Sequence, residues 1–126
     1  MNVPDDLKYL ESHEWHRIDG DVVTIGISQF AAEELTDITY LELPAAGTAV
    51  QAGTVFGEIE SVKATADLNS GITGNVTETN ARLTEEPELV NSDPFGDGWM
   101  IRVKVTDPSE LDRLLSPSDY AACIQG

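Results

Sequence analysis

The chain has 126 residues, of which 40% are hydrophobic and 24% charged, and its formal net charge is −16. This length fits one domain, so we expect residues 1–126 to form a single compact unit. So negative a charge repels nucleic acid and anionic lipid and favours a soluble monomer, which excludes nucleic-acid binding and points to partners with basic surfaces.

No apolar run is long enough to cross a bilayer, and the segment Met1–Lys8 lacks the basic and apolar regions of a secretion signal. We therefore expect a cytoplasmic protein of bacterial type without membrane association, with a mature mitochondrial form as the alternative. The single cysteine, Cys123, can form no internal disulfide and is expected to be partly buried.

The first predicted elements are two strands within 15–27, joined by a tight turn at Asp19-Gly20. A short helix should follow over 28–36, capped by the Ser28 hydroxyl and anchored inward by Phe30 and Leu35.

The middle of the chain predicts further strands over 38–43 and 55–62, with 64–68 running back antiparallel to the second of these. This arrangement places Lys63 at or near the tip of a hairpin. Strand character returns over 75–79 and 98–105.

Helical segments are predicted near the end of the chain, over 85–91 with Pro87 near its first position, 107–115 and 116–124. The sum is mainly β, and many short strands with glycine-containing turns favour a sandwich or barrel. The residues expected to be mostly buried are Trp15, Ile25, Ile27, Leu41, Val55, Ile59, Val76 and Ile101.

Candidate catalytic groups are few. His13 and His16 have no companion ligands, no glycine-rich phosphate loop is present, and no Cys/His cluster has metal-ligand spacing, so no metal site is expected. Glu58 and Glu60 would share one face of a strand, which is typical of a solvated acidic surface and could also mean a carboxylate pair.

Lys63 is the only cationic side chain between Arg17 and Arg82, and its neighbours are Val62 and Ala64. A lysine at a turn is usually a solvated charge, and spacing alone cannot distinguish that role from a chemical one.

The run Glu60-Ser-Val-Lys-Ala64, followed by Asp67-Leu68, resembles the lipoylation motif of the glycine cleavage system H protein family. The similarity extends from about residue 7 to about residue 115, since other family motifs occur in order: Ser12-His-Glu-Trp15, Thr24-Ile-Gly-Ile27, Leu41-Glu-Leu-Pro44, Pro87-Glu-Leu-Val-Asn91 and Gly98-Trp-Met-Ile101. One departure is the absence of the proline that commonly follows Asp67 in the family.

The resemblance implies a barrel-sandwich hybrid like the lipoyl and biotinyl carriers, with short peripheral and C-terminal helices. It also implies lipoate joined by an amide bond to Lys63, within the motif residues Glu60, Ser61, Val62 and Ala64. The protein would be a non-catalytic carrier of glycine cleavage.

The implied partners are three enzymes and a lipoate-attaching enzyme. The carrier would take the aminomethyl group of glycine from a pyridoxal-phosphate glycine decarboxylase (P protein) to a tetrahydrofolate-dependent aminomethyltransferase (T protein). It would pass electrons to dihydrolipoamide dehydrogenase (L protein), and a lipoate ligase or a lipoyl/octanoyl transferase would load it.

The same resemblance places Ser12, Glu14 and Asp67 in a cleft beside the parked arm, although Glu14 and Asp67 could be ordinary surface acids. Biotinyl domains fit less well, since they have Met-Lys-Met at the attachment lysine. The lipoyl domains of 2-oxoacid dehydrogenases are closer, but they usually have Asp-Lys-Ala and lie in longer chains with flexible linkers. Two functional alternatives are a lipoyl relay that donates lipoate to other acceptors and an acidic hydrolase, for which no catalytic pair is found.

Overall fold

A computed structural model describes residues 2–125, which form nine strands, four α-helices and one 3₁₀ helix. The strands are β1 (Lys8–Tyr9), β2 (Glu14–Asp19), β3 (Val22–Ile27), β4 (Ile38–Glu42), β5 (Ala49–Val50), β6 (Thr54–Ser61), β7 (Thr65–Ser70), β8 (Gly74–Thr79) and β9 (Ile101–Val105). The helices are α1 (Gln29–Leu35), α2 (Arg82–Glu85), α3 (Leu89–Ser92) and α4 (Pro117–Gln125), with the 3₁₀ helix at Pro108–Arg113.

The strands form two antiparallel sheets. One has six strands in the order β1-β2-β3-β9-β8-β5, and the other has three in the order β4-β6-β7. The predominance of β structure predicted from the sequence is therefore confirmed. No helix among residues 2–125 is long and apolar enough to span a membrane.

The hairpin β2–β3 confirms the predicted pair of strands but shifts the turn by one residue. Asp19 pairs with Val22, so the two central residues are Gly20 and Asp21. Gly20 has φ +63°, which a glycine at the first central position of a two-residue hairpin loop adopts without strain.

The interior contains apolar residues from both sheets, including Ile27, Leu41, Ile59 and Leu68 in one cluster. Seven of the eight predicted core residues are buried: Trp15, Ile25, Ile27, Leu41, Ile59, Val76 and Ile101.

Val55 is the wrong member of the predicted core, since it is 52% exposed. The register of β6 against β7 shifts between Val55 and Gly57, so Phe56 is an extra residue that breaks the alternation of side chains. Phe56 packs against the buried clusters instead, and Val55 turns outward.

Helix α1 lies where the sequence predicts a helix. Ser28 caps it, because its Oγ accepts a hydrogen bond from the N–H of Ala31 at 3.3 Å. Ala32 is the buried residue of α1, whereas Phe30 and Leu35, the predicted anchors, are each half-buried.

Four predictions in the C-terminal third of the chain need correction. The helix expected over 85–91 is divided into α2 and α3, with Pro87 between them, and the helix expected over 107–115 is the shorter 3₁₀ helix. The strand expected over 98–105 begins only at Ile101, since the N–H of Gly98 bonds back to the carbonyl of Asp93. Helix α4 confirms the last predicted helix, but Cys123 is exposed rather than partly buried.

Candidate functional site

Lys63 lies at the tip of the β6–β7 hairpin and is exposed. Ser61 closes the turn beneath it: its Oγ accepts hydrogen bonds from the N–H groups of Lys63 (3.1 Å) and Ala64 (3.0 Å). The N–H of Ser61 donates to the carbonyl of Ala64 at 2.8 Å. These bonds hold a tight turn from which the lysine side chain projects.

The tip also contacts the end of α1 and the residues that follow it. The N–H of Val62 donates to the carbonyl of Asp37 at 3.0 Å, and Lys63 Nζ donates to the carbonyl of Glu34 at 3.2 Å. Val62 itself leaves 69% of its surface exposed. The turn at Lys63 is therefore held both by Ser61 within the hairpin and by backbone carbonyls at the end of α1, while the Lys63 side chain stays exposed.

Glu60, the first residue of the lipoylation motif, lies on the outer face of the three-stranded sheet. Glu58 and Glu60 are both exposed, so they belong to a solvated acidic surface. In residues 2–125 no group of three or more His, Cys, Asp or Glu side chains is arranged to hold a metal ion.

Ser12 and Glu14 lie together beside the other sheet. Ser12 is in the turn between β1 and β2, Glu14 is the first residue of β2, and the Ser12 hydroxyl donates to Glu14 Oε1. Glu14 Oε2 accepts from the backbone N–H of Asn69 at 2.7 Å and from its side-chain amide at 3.3 Å. The carboxylate therefore connects β2 to β7.

Glu14 is almost completely buried, with 1% of its surface exposed. Burial raises the pKa of this carboxyl, and the hydrogen bonds from Ser12 and Asn69 oppose that rise by stabilising the charged form.

Asp67 has a different environment from Glu14. It is exposed on β7 and lies opposite Glu58 in the sheet register. Because side chains alternate along a strand, it shares a face of β7 with Asn69, the residue that Glu14 contacts. The structure thus brings Ser12 and Glu14 into contact, and Asp67 lies along the same face without a hydrogen bond to either among the described residues.

A cavity of about 520 Å³ opens next to this group. Ser12 and Asn69 contribute polar atoms, and apolar side chains form other parts of its wall; the lining residues are Tyr9, Leu10, Glu11, Ser12, Gly53, Asn69, Arg113 and Leu115. The distance along β7 from the hairpin tip to Asp67 is roughly 13 Å at ~3.3 Å per residue. A long flexible arm on Lys63 would span this distance to Asp67, and the exposed amine of Lys63 fits an amide attachment. Of the three predicted cleft residues, Ser12 lines the cavity, whereas Glu14 and Asp67 do not.

Comparisons with known proteins match nearly the whole chain. The family model described as "Glycine cleavage H-protein" matches residues 7–126. The chain belongs to this family. A probable glycine cleavage system H protein of Haloarcula marismortui is 56% identical over 120 residues, which cover 95% of this chain and 94% of the relative.

Other H proteins agree in sequence and in fold. The glycine cleavage system H protein of Cyanothece sp. is 48% identical over 126 residues, covering 100% of this chain and 98% of the relative. A crystal structure of an H protein from Mycobacterium marinum has a TM-score of 0.90 at 35% identity and covers 98% of this chain and 100% of that one. The predicted barrel-sandwich hybrid is therefore confirmed.

Membership of the H-protein family assigns this chain to the lipoate-bearing carriers of glycine cleavage, which are carrier subunits rather than catalysts. The acidic-hydrolase alternative has no support from the family.

Two residues beside Ser12, Glu14 and the cavity were not predicted from the sequence to be site residues. Asn69 binds Glu14, and Arg113 lines the cavity from the end of the 3₁₀ helix. Asn69 had a usable signal, because it is two residues beyond Asp67 and a strand places both side chains on one face. Arg113 had none, since the tertiary fold alone brings the 3₁₀ helix to the cavity.

Proposed function

We propose that this protein carries lipoate on Lys63 and shuttles the aminomethyl group of glycine between the enzymes of glycine cleavage. It would receive the group from glycine decarboxylase (P protein), deliver it to the aminomethyltransferase (T protein), and pass electrons to dihydrolipoamide dehydrogenase (L protein). The observation that carries the proposal is the exposed Lys63 at a hairpin tip that Ser61 holds closed, in a member of the H-protein family.

The role of the protein in this proposal is to present and shelter the arm. Lipoate, when bound, supplies a disulfide that accepts the aminomethyl group and two electrons. The chain's own single cysteine, Cys123, cannot perform this two-thiol chemistry alone. Acylation would remove the positive charge of Lys63, so a neutral arm could enter the sites of partner enzymes.

The cleft at Ser12, Glu14 and Asp67 would receive the loaded end of the arm. An aminomethyl group is cationic at neutral pH, and carboxylates stabilise a cation most strongly where water is excluded. Glu14 is buried and its carboxylate is fixed by Ser12 and Asn69, so it can act as an oriented charge. Asp67 is exposed and would contribute a weaker, screened attraction.

We also propose that residues 1–126 act as one domain and as a monomer. The net charge of −16 supports this, because copies of so acidic a chain repel one another. Loading by a lipoate ligase or a lipoyl/octanoyl transferase belongs to the same proposal.

The test is Lys63→Arg. Incubation of the parent with a lipoate ligase should give a lipoyl amide on Lys63, found by peptide mapping, and none on Lys8 or Lys104. The arginine variant should fold normally, gain no mass and support no glycine cleavage, because a guanidinium keeps the charge but is not an acyl acceptor.

Matched controls are Lys8→Arg and Lys104→Arg, which should be loaded as the parent is. Loading of the Lys63→Arg variant, or glycine cleavage supported by it, would contradict the proposal.

A further inference from the structure

Asn91, the last residue of the Pro87-Glu-Leu-Val-Asn91 motif, holds the short segment between α1 and β4. It lies in α3, and its Nδ2 donates to the carbonyl of Thr36 at 2.7 Å. Its Oδ1 accepts from the N–H of Ile38 at 2.9 Å. One side-chain amide thus pairs with the free edge of the chain at the start of β4, as a neighbouring strand would.

The other edge of the same segment holds the hairpin tip. In extended chain the carbonyl of the residue between two such groups points the opposite way, and here the carbonyl of Asp37 accepts the N–H of Val62 at 3.0 Å. Ile38 lies opposite Ser61, the residue whose hydroxyl closes the turn at Lys63. The segment 36–38 is therefore hydrogen-bonded to Asn91 along one edge and to the hairpin tip along the other.

The segment needs such support because Thr36 has an unfavourable backbone conformation. Its φ of 63° and ψ of −146° lie in a region that is costly for any residue except glycine. Strain of this kind persists only where surrounding contacts fix it. Two hydrogen bonds hold Thr36. Its N–H donates to the carbonyl of Ala32 at 3.1 Å, and its carbonyl accepts from the side-chain amide of Asn91.

We infer that Asn91 is a positioning residue for the acylation of Lys63. It fixes the segment 36–38, which in turn docks the hairpin tip, so a lipoate-attaching enzyme meets the lysine in one conformation. The inference rests on the proposed attachment at Lys63 and adds a residue that is distant in sequence and outside the lipoylation motif.

Asn91→Ala removes both bonds to the segment and lets the tip sample other conformations. If the competent conformation is then about a tenth of the population, the KM of a lipoate ligase for this protein rises roughly 10-fold while kcat is nearly unchanged. Hydrogen exchange at the Val62 N–H should accelerate in parallel, before any acylation, because its acceptor is no longer held.

Asn80→Ala is the matched control. Like Asn91, Asn80 is an asparagine whose side chain bonds to backbone groups, donating to the carbonyls of Asp97 (2.8 Å) and Trp99 (2.7 Å). Asn80 is buried, whereas Asn91 is partly buried. Its loss should destabilise the fold but leave the KM and the exchange at Val62 at the parent's values. All assays are run where urea titration shows each variant to be folded.

Asn91→Asp removes the bond to Thr36 but can keep the bond from Ile38. This variant replaces Asn91→Ala in the test if the alanine variant does not fold. Its carboxylate can accept from Ile38 but cannot donate to Thr36, so the KM should again rise and the Val62 exchange accelerate.

The outcomes distinguish the inference from the proposed function. If the parent is acylated on Lys63 and the Asn91 variants keep the parental KM, or if Asn80→Ala raises the KM equally, the inference is wrong and the attachment site stands. If the parent is not acylated on Lys63, both are wrong.

Discussion

His16 is a buried histidine with only half of its hydrogen-bonding capacity used. Its Nε2 accepts from the N–H of Gly71 at 3.1 Å, and its Nδ1 has no partner among residues 2–125. Complete burial lowers its pKa from an ordinary value near 6.5 to about 4. The folded protein therefore holds a neutral ring at a pH where the unfolded chain would be protonated.

This difference predicts a pH-dependent stability. A lowered histidine pKa means that the unfolded state binds more protons between pH 6.5 and 4, so the free energy of unfolding falls as the pH drops through that window. His16→Gln removes the titration and keeps an acceptor for Gly71. Between pH 7 and 5 the parent should lose about 2 kcal/mol more than the variant, measured by urea unfolding.

Glu14 acts in the opposite sense, because burial raises its pKa and a raised carboxyl pKa gives stability that is lost as the pH rises. Since the parent and the His16→Gln variant share Glu14, the comparison between them isolates His16. Equal losses in the two proteins would show that His16 does not titrate as its burial requires.

The two acids of the proposed cleft should differ in strength. Glu14→Gln removes a buried charge, so the carried aminomethyl group should be lost severalfold faster, and salt should change this little. Asp67→Asn removes an exposed charge, so its effect should be smaller and should fade between about 0.01 and 1 M salt. Release of formaldehyde and ammonia from loaded protein, without the partner enzymes, measures both.

Asn69→Ala is a companion variant. The backbone N–H of residue 69 can still donate to Glu14, and only the side-chain bond is lost. A loss rate in Glu14→Gln equal to that of the parent would mean that the cleft does not protect the group.

At the scale of elements, the outer face of the sheet β4-β6-β7 contains a row of like charges. Glu58 lies opposite Glu42 on one side and opposite Asp67 on the other, and all three are exposed. Like charges directly opposite each other destabilise a sheet.

Glu58→Gln should therefore raise the free energy of unfolding by about 0.5 kcal/mol at low salt, with the gain disappearing near 1 M salt. Urea titration at the two salt concentrations measures it. Glu88→Gln, a change at an exposed acid outside this sheet, is the control and should have less effect. A gain for Glu58→Gln that is independent of salt would contradict the electrostatic explanation.

Local sequence predicted those elements whose signals are local. The hairpin around Lys63, the cap at Ser28 and helix α4 depend on neighbouring residues and are found where expected. The exposed Val55 was missed because the bulge at Phe56 exists only where β6 pairs with β7. The division of the predicted helix at Pro87 differs, because it had a local signal: a proline disfavours helical conformation in the residue before it.

At the scale of the whole molecule, the contacts that assemble the site were not predictable from spacing. The bond from Asn69 to Glu14 and the bond from Asn91 to Thr36 each join residues 55 positions apart. Such pairs are set by the packing of the two sheets and α3, not by any local pattern. The motif at 87–91 contains Asn91, and the fold shows the two bonds by which its side chain joins α3 to the start of β4.

The charge of the molecule is largely uncompensated. Four ion pairs occur among residues 2–125, and all of their side chains are exposed, so each contributes little to stability. The excess negative charge is thus available to act at long range on basic surfaces of partners.

The three N–H groups at the lysine tip are all donated within the chain: Val62 to Asp37, and Lys63 and Ala64 to Ser61. A docking enzyme therefore finds these three main-chain donors already used within the chain, so none of them is free to pair with it. A short peptide copying the motif would lack the Asp37 carbonyl, so it would present the Val62 N–H that the folded protein keeps paired.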